Sequence, residues 1–354
     1  MAAGATQLKF FEIKLPSGGL VTRELYNNGR HQCRVSLLVT KQVQNEQGNW
    51  IDTPLNRAET ESATVTGFGV PAQPLPAGWA CDVEKNEFDA GLWSRAAEGE
   101  RDSDGCGSAE TEPEDTSVEL IPRYMRAEAT VRDDPVRFMG RITVGGKVYT
   151  TYGTYGVITF NTYVDIFPTR AYRLFVRDLT EFVDINAFHG TVANNLLDID
   201  VYYWMPPSGL QFKKNLGLDD PIYVTLEGAY FQTSFIYNYS GGNRKKGGII
   251  WKKDTLGLQL RIDDVQLPSG HNPFVEFNRY PTIMRALRYQ GWIDSRNNER
   301  MSPWRLLDNF GCEHVFVIDY GDNRNLLRLR DHGGKSFWGR LLELYHSMKR
   351  RLRS

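Results

Sequence analysis

Cys312-Glu313-His314 sets a thiol and an imidazole two residues apart, and in a strand that spacing places both on one face, where they could act as nucleophile and base. The pair stands at the mouth of Val315-Phe316-Val317-Ile318, a run apolar on both parities that reads as a fully buried strand, so packing is the favoured reading. Asp198 and Asp200 repeat the two-residue spacing, and Asp263-Asp264 end another alternating run. Two carboxylates held about 5 to 10 Å apart across a cleft can share acid and base work on a glycosidic bond. Solvated sheet faces carry such residues anyway, and nothing in the sequence brings these together. Asp319-Tyr320-Gly321-Asp322-Asn323-Arg324-Asn325 offers the oxygen ligands of a calcium loop, but not in EF-hand order, and the same residues make ordinary tight turns.

Phosphate-cradling glycine motifs, a Gly-x-Ser-x-Gly elbow and His-Glu-x-x-His do not occur. No catalytic residue, metal ligand or cofactor is therefore assigned. Aromatic side chains give a stronger signal. Tyr152, Tyr155, Tyr202, Trp204, Tyr237 and Tyr239 lie near turns or on the parity opposite the expected core, where rings beside Asn, Asp and Gly supply a binding platform on which a sugar could stack. Arg244, Lys245 and Lys246 form the most basic stretch of a glycine-rich segment, 240–248, which reads as a turn. The candidate binding residues are thus Tyr202, Trp204, Tyr237, Tyr239, Arg244, Lys245 and Lys246. The competing reading is packing, since contact between two β layers would bury every ring.

The elements that must position these groups read mainly as strands. Residues 222–262 read as one long β-hairpin around the 240–248 turn, with a bulge near Gly228 and a return arm that alternates through Leu256, Leu258 and Leu260. Upstream, Phe11-Glu12-Ile13-Lys14-Leu15 alternates. The stretch 20–26 forms a hairpin through Asn27-Asn28-Gly29-Arg30 with the arm carrying Cys33, Val35, Leu37 and Val39. Val144-Gly145-Gly146-Lys147 is a further turn. Residues 174–188 suggest one short helix and 281–291 another. Segment 96–117 is rich in Asp, Glu, Gly and Ser with no apolar face, so a disordered, solvated acidic loop is expected.

After Gly333-Gly334, Trp338, Leu341, Leu342, Tyr345 and Met348 recur at helical spacing with a basic finish. This tail reads as an amphipathic helix, with Trp338, Leu341, Leu342, Tyr345, Arg350 and Arg351 as candidates for contact with a partner or a membrane surface.

The expected division is 1–95, an N-terminal β region; 96–117, the acidic loop; 118–175, a β region packing with 1–95; 176–332, a C-terminal β-sandwich; and 333–354, the helical tail. With 354 residues, 41% apolar content and net charge -1, the chain can bury full cores, and its bulk charge gives nucleic acid no reason to bind. Cys33, Cys81, Cys106 and Cys312 lack a C-x-x-C pair and read as reduced thiols. A Cys33–Cys81 bridge in a protein exported without a classical signal is the alternative. Residues 1–9 show no secretory signal and no apolar run reaches membrane-span length, so synthesis in the cytoplasm, with non-classical export open, is the expectation.

The fold class expected is all-β and mainly antiparallel, as tandem β-sandwich-like regions. In architecture the chain resembles the sandwich modules shared by adhesins, lectins, secreted effectors and virion or injection-device components. Architecture alone does not choose among these, and the function expected first is a non-enzymatic binding or structural protein acting through protein–protein contacts, such as an adhesin, effector or assembly component. A carbohydrate-binding or carbohydrate-active protein and a membrane-active toxin are the alternatives.

Overall fold

The computed structural model describes residues 4–94, 117–192, 195–222, 230–238, 243–251, 259–261, 274–292, 297–320 and 325–333. The chain is all-β, with several antiparallel sheets. It divides into two compact units, residues 1–172 with 309–312, and residues 173–308 with 313–354. The acidic segment 96–117, apart from Ser117, and all but the first residue of the tail 333–354 lie outside the described residues.

The first unit contains β1 (Thr6–Lys14), β2 (Val21–Thr22), β3 (Cys33–Gln44), β4 (Trp50–Asp52), α1 (Arg57–Ser62), β5 (Thr64–Gly67) and β6 (Trp79–Asp82). It continues with β7 (Glu119–Ala127), β8 (Val136–Val144), β9 (Lys147–Thr150), β10 (Tyr152–Tyr155), β11 (Ile158–Asn161) and β12 (Val164–Ile166). One sheet runs β1-β3-β7-β6 with β4 beside β3, the other β2-β12-β8-β5 with β9 beside β8. The alternation read from the sequence does its expected work. Phe11, Ile13, Val35, Leu37 and Val39 from the first sheet meet Phe138, Ile142, Val164 and Ile166 from the second in one apolar core. Gly145 and Gly146, both at positive φ, turn β8 into β9.

The 20–26 stretch departs from expectation: β2 pairs in parallel with β12, while β3 pairs with β1 and β7. Helix α1 was not legible as an apolar stripe, because what holds it is polar. Asn56 and Glu59 form a capping box, Lys41 Nζ reaches Glu59 Oε2 at 2.7 Å, and the buried Arg123 donates to Thr60 O and Ala63 O near the helix end.

The second unit holds β13 (Thr180–Val192), β14 (Asn195–Met205), β15 (Phe212–Leu218), β16 (Phe231–Asn238), β17 (Asn243–Ile250) and β18 (Gln259–Arg261). It continues with β19 (Phe274–Glu276), β20 (Arg285–Trp292), β21 (Asn298–Glu299), β22 (Trp304–Asp308), β23 (Glu313–Asp319) and β24 (Arg328–Asp331). A six-stranded sheet has the order β13-β14-β20-β17-β16-β21, a four-stranded sheet the order β15-β22-β23-β24, and β18 pairs with β19. The six-stranded sheet is covered on both faces. Leu197, Ile199, Val201 and Tyr203 pack with Val275 and Phe277, while Trp204 on the opposite parity meets Trp304 of β22 edge to face at 6.0 Å.

Four sequence expectations are corrected here. The basic segment 243–248 is strand β17, seated between β20 and β16, and not a turn. Its glycines make room for rings. A Cβ on Gly247 would stand 2.2 Å from Phe235 Cζ, and one on Gly248 2.7 Å from Phe231 Cζ. The described part of the 255–262 arm, β18, pairs with β19 and not with β16. Residues 174–188 give a short 3-10 turn, Val176–Asp178, and the long strand β13, while 281–291 give β20 in place of a helix. The β16 bulge lies between Thr233 and Phe235; Gly228 and Leu258 fall outside the described residues. As read, β23 is buried almost throughout, with only Glu313 half-buried.

Candidate functional site

An Asn-Gly turn starts the site. Asn28 Oδ1 accepts from Arg30 N at 2.9 Å and His31 N at 2.7 Å, and Gly29 takes φ +75°, so the chain bends sharply into β3. Beside this turn runs the segment leaving β6. Gln32 knits the two together: its Nε2 donates to Asp82 Oδ2 at 2.8 Å, and its Oε1 accepts from Asn86 N at 2.8 Å. Asn86 Nδ2 then donates to Arg30 O at 2.5 Å, while Arg126 of β7 donates to Asp82 Oδ2 at 2.8 Å and to Gly29 O at 3.2 Å.

The result is an open cleft of about 400 Å³ in the first unit. Arg30, Lys85 and Arg126 contribute positive charge, Asp82, Glu84 and Glu87 negative charge, and the buried Phe88 ring an apolar patch. Among the described residues no Ser, Cys or His lines it. Such a lining sets both signs of charge on a backbone fixed in advance by hydrogen bonds, an arrangement suited to a ligand that carries both signs. Sequence reasoning missed this site, although the Asn28-Gly29 turn at its edge was legible.

The residues singled out from the sequence lie elsewhere, and their reactive atoms are engaged. Arg288 of β20 donates to Asp200 Oδ2 at 2.7 Å, Asp198 Oδ2 at 2.5 Å and Asn325 Oδ1 at 3.0 Å. Its side chain is 2% exposed. Burial works against its charge, but the bonds to Asp200 and Asp198 outweigh that and push its pKa up. Asp198 and Asp200 do come together, around an arginine and not across a cleft. Lys245 Nζ reaches the same Asn325 Oδ1 at 2.8 Å, and burial, with the Arg288 charge adding, pulls the Lys245 pKa down. Lys246 points to the other face, over the Phe231 ring at 4.7 Å, and Arg244 is half-buried in β17.

Tyr202, Trp204 and Tyr237 are packing groups. Tyr202 and Trp204 are 3% and 1% exposed, and Tyr237 is buried, so they form no surface platform. Trp204 Nε1 donates to Glu181 Oε2 at 2.8 Å, Tyr202 Oη accepts from Leu327 N at 3.2 Å, and Tyr237 Oη donates to Glu299 Oε2 at 2.7 Å. Burial pushes the Tyr202 and Tyr237 pKa values up, for Tyr237 with the bonds to Tyr320 and Glu299 adding. Tyr239, Asp263, Asp264, Trp338, Leu341, Leu342, Tyr345, Arg350 and Arg351 fall outside the described residues.

His314 is buried with both ring nitrogens bonded. Nδ1 accepts from Leu174 N at 3.0 Å, which leaves the proton on Nε2 to donate to Asp308 Oδ2 at 3.0 Å. An imidazole so placed orders a fold and has no free lone pair for a thiol; Cys312, which the first unit includes, bonds Asn28 Nδ2 at 3.4 Å. Asp319 pairs with Arg330, and Gly321 to Arg324 are not described. Among the described residues no three His, Cys, Asp or Glu side chains converge as metal ligands.

Cys33, Cys81 and Cys312 are free thiols. A Cys33–Cys81 bridge fails on register. Both residues pair with Met125, one from each side of β7, so their backbones stand about two strand spacings, roughly 10 Å, apart, against an upper limit near 7 Å for a disulfide.

No protein-family model matches the chain, and no curated protein matches it significantly. Among the described residues no helix is long and apolar enough to cross a membrane.

Proposed function

We propose that the chain is a non-enzymatic binding protein built from β-sandwich modules, acting through protein–protein contacts, with the charged cleft of the first unit as a partner site. The observation that carries this reading is the cleft itself: both signs of charge on a rim that Gln32, Asn86 and Arg126 hold in place before any partner arrives. Binding a partner segment that bears both charges then costs little further ordering of the rim itself. The engagement of Asp198, Asp200 and His314 in internal bonds gives the same reading indirect support, because the groups suited to acid–base chemistry serve the fold. The membrane-active alternative rests on residues 333–354.

The test is selection from a phage-displayed peptide library on the full chain and on a double variant, Glu84→Lys with Lys85→Glu, which swaps two exposed rim charges at constant net charge. Peptides enriched on the native protein should carry both signs of charge. They should bind the swapped variant about tenfold more weakly, with the difference shrinking as salt is raised. Equal binding to both proteins removes the cleft from the function, and turnover of chromogenic glycosides by the native protein overturns the non-enzymatic reading.

A further inference from the structure

A second surface of the first unit has an unspent set of hydrogen-bonding groups gathered around rings. Arg137 and Asp165 face each other across β8 and β12 and form a two-pronged pair, Nε to Oδ1 at 2.8 Å and NH2 to Oδ2 at 3.0 Å. The guanidinium lies over the Tyr163 ring at 3.9 Å and the Phe68 ring at 5.4 Å. Phe68 is the hub, touching Tyr152 at 4.7 Å and Tyr163 at 5.6 Å. The three rings are half-buried and the Arg137 side chain is 44% exposed, so the cluster is open to solvent. It shares no residue with the charged cleft.

Its hydrogen-bonding capacity exceeds its use. A guanidinium has five N–H groups, of which Asp165 takes two, leaving three uncommitted to other described residues on a side chain that is 44% exposed. The Tyr152 and Tyr163 hydroxyls are not committed to other described residues. The carboxylate retains lone pairs beyond the two that Arg137 occupies. Sequence reasoning picked out Tyr152 but not Phe68, Tyr163 or Arg137, which come from separate segments.

We propose that this cluster binds a neutral saccharide. Arg137 and Asp165 cancel each other's charge, so an anion gains nothing by choosing this surface. A ligand cation is repelled by Arg137, which already lies over the Tyr163 and Phe68 rings. What remains is a patch offering donors, acceptors and half-buried aromatic rings at close quarters, Tyr152 among them without a cation over it, which suits a molecule with an apolar C–H face and several hydroxyls. The proposal is independent of the protein-binding cleft.

Saturation-transfer NMR on the full chain, with the methyl glycosides of glucose, galactose, mannose and N-acetylglucosamine as probes, tests it directly. At least one should receive saturation. Its affinity should fall about fivefold in Tyr152→Phe or Tyr163→Phe, each of which removes one hydroxyl and no packing volume, and further in Arg137→Lys, which keeps the charge but loses the fork. Melting temperature separates folding from binding in each variant. The proposal is overturned if none of the four glycosides receives saturation, or if a bound glycoside has the same affinity in both hydroxyl-deleted variants.

Discussion

Replacing Arg288 with Met removes the cation that bridges Asp198 and Asp200 while keeping most of the side chain's apolar length. Two carboxylates, 16% and 6% exposed, are then left without their partner, and Asn325 loses a donor. Removing one member of a buried ion pair costs about 3–5 kcal/mol, and the involvement of two carboxylates places the expected loss at the upper end. That is a large part of the roughly 5–15 kcal/mol that holds a whole domain together. For a unit of this size it corresponds to a fall in melting temperature of about 10 °C or more.

The assay is urea unfolding followed by tryptophan fluorescence, since Trp204 and Trp304 pack together beside the network. The control is the triple variant Arg288→Met, Asp198→Asn, Asp200→Asn, in which neither position 198 nor position 200 is left as an unpaired carboxylate. It should recover most of the loss, because a buried ion pair replaced by neutral groups is often nearly neutral for stability. A single variant within about 1 kcal/mol of the native protein, or a triple variant no more stable than the single, refutes the reasoning.

Gly247→Ala should destabilise the second unit by about 1–3 kcal/mol, because the new methyl meets Phe235 at 2.2 Å; denaturant titration reads the loss, and a neutral result means the ring moves freely aside. Cys33 should resist alkylation in the native protein, since burial, with the charge of Glu24 adding, pushes its thiol up to about 12. It should react once urea exposes it, and mild oxidant should leave no Cys33–Cys81 crosslink in a peptide mass map. For Glu59, burial would raise the carboxyl pKa, but bonds from Lys41, Asn56 and Gly145 prevail and hold it below 4.5. Its folded value being depressed, its contribution to stability is full above that pH and is lost as pH falls through the folded value. In Lys41→Met the acid limb of the stability–pH profile should flatten, and an unchanged limb counts against the pairing.

What the sequence could and could not reveal follows from how far each pattern depends on neighbours. The period-two alternation of β1, β3 and β14 is a property of single strands, and it was legible. Which face of β14 is wet is a property of the assembly. Asp198, Asp200, Tyr202 and Trp204 read as a solvated face, yet a second layer covers them, and Arg288, 88 residues away from Asp200, satisfies the carboxylates. Lys245-Lys246-Gly247-Gly248 imitates a turn because its glycines answer to Phe235 and Phe231 on the neighbouring strand, which no local window contains. The cleft is hidden for the same reason: Arg30, Gln32, Asp82, Asn86 and Arg126 meet only once β3, β6 and β7 are paired.

The buried network has a further consequence for the register of β14 and β20. Sliding β20 by two residues so that Tyr289 replaces Leu287 opposite Val201 keeps an apolar contact there. Packing alone therefore separates the two registers weakly. Arg288 changes that, because in the observed register it stands directly opposite Asp200, with Asp198 and Asn325 also in reach. A two-residue slip carries the guanidinium opposite Asp198 or Tyr202 and strands at least one carboxylate in the interior. Specificity of register, more than net stability, is then what the ion pair contributes. The triple neutral variant should accordingly recover its midpoint in urea yet show more than one set of amide resonances for β20, where the native protein shows one. A single set in that variant would mean that the side chains of β14 and β20 fix the register by shape alone, and the charged layer would have no such role.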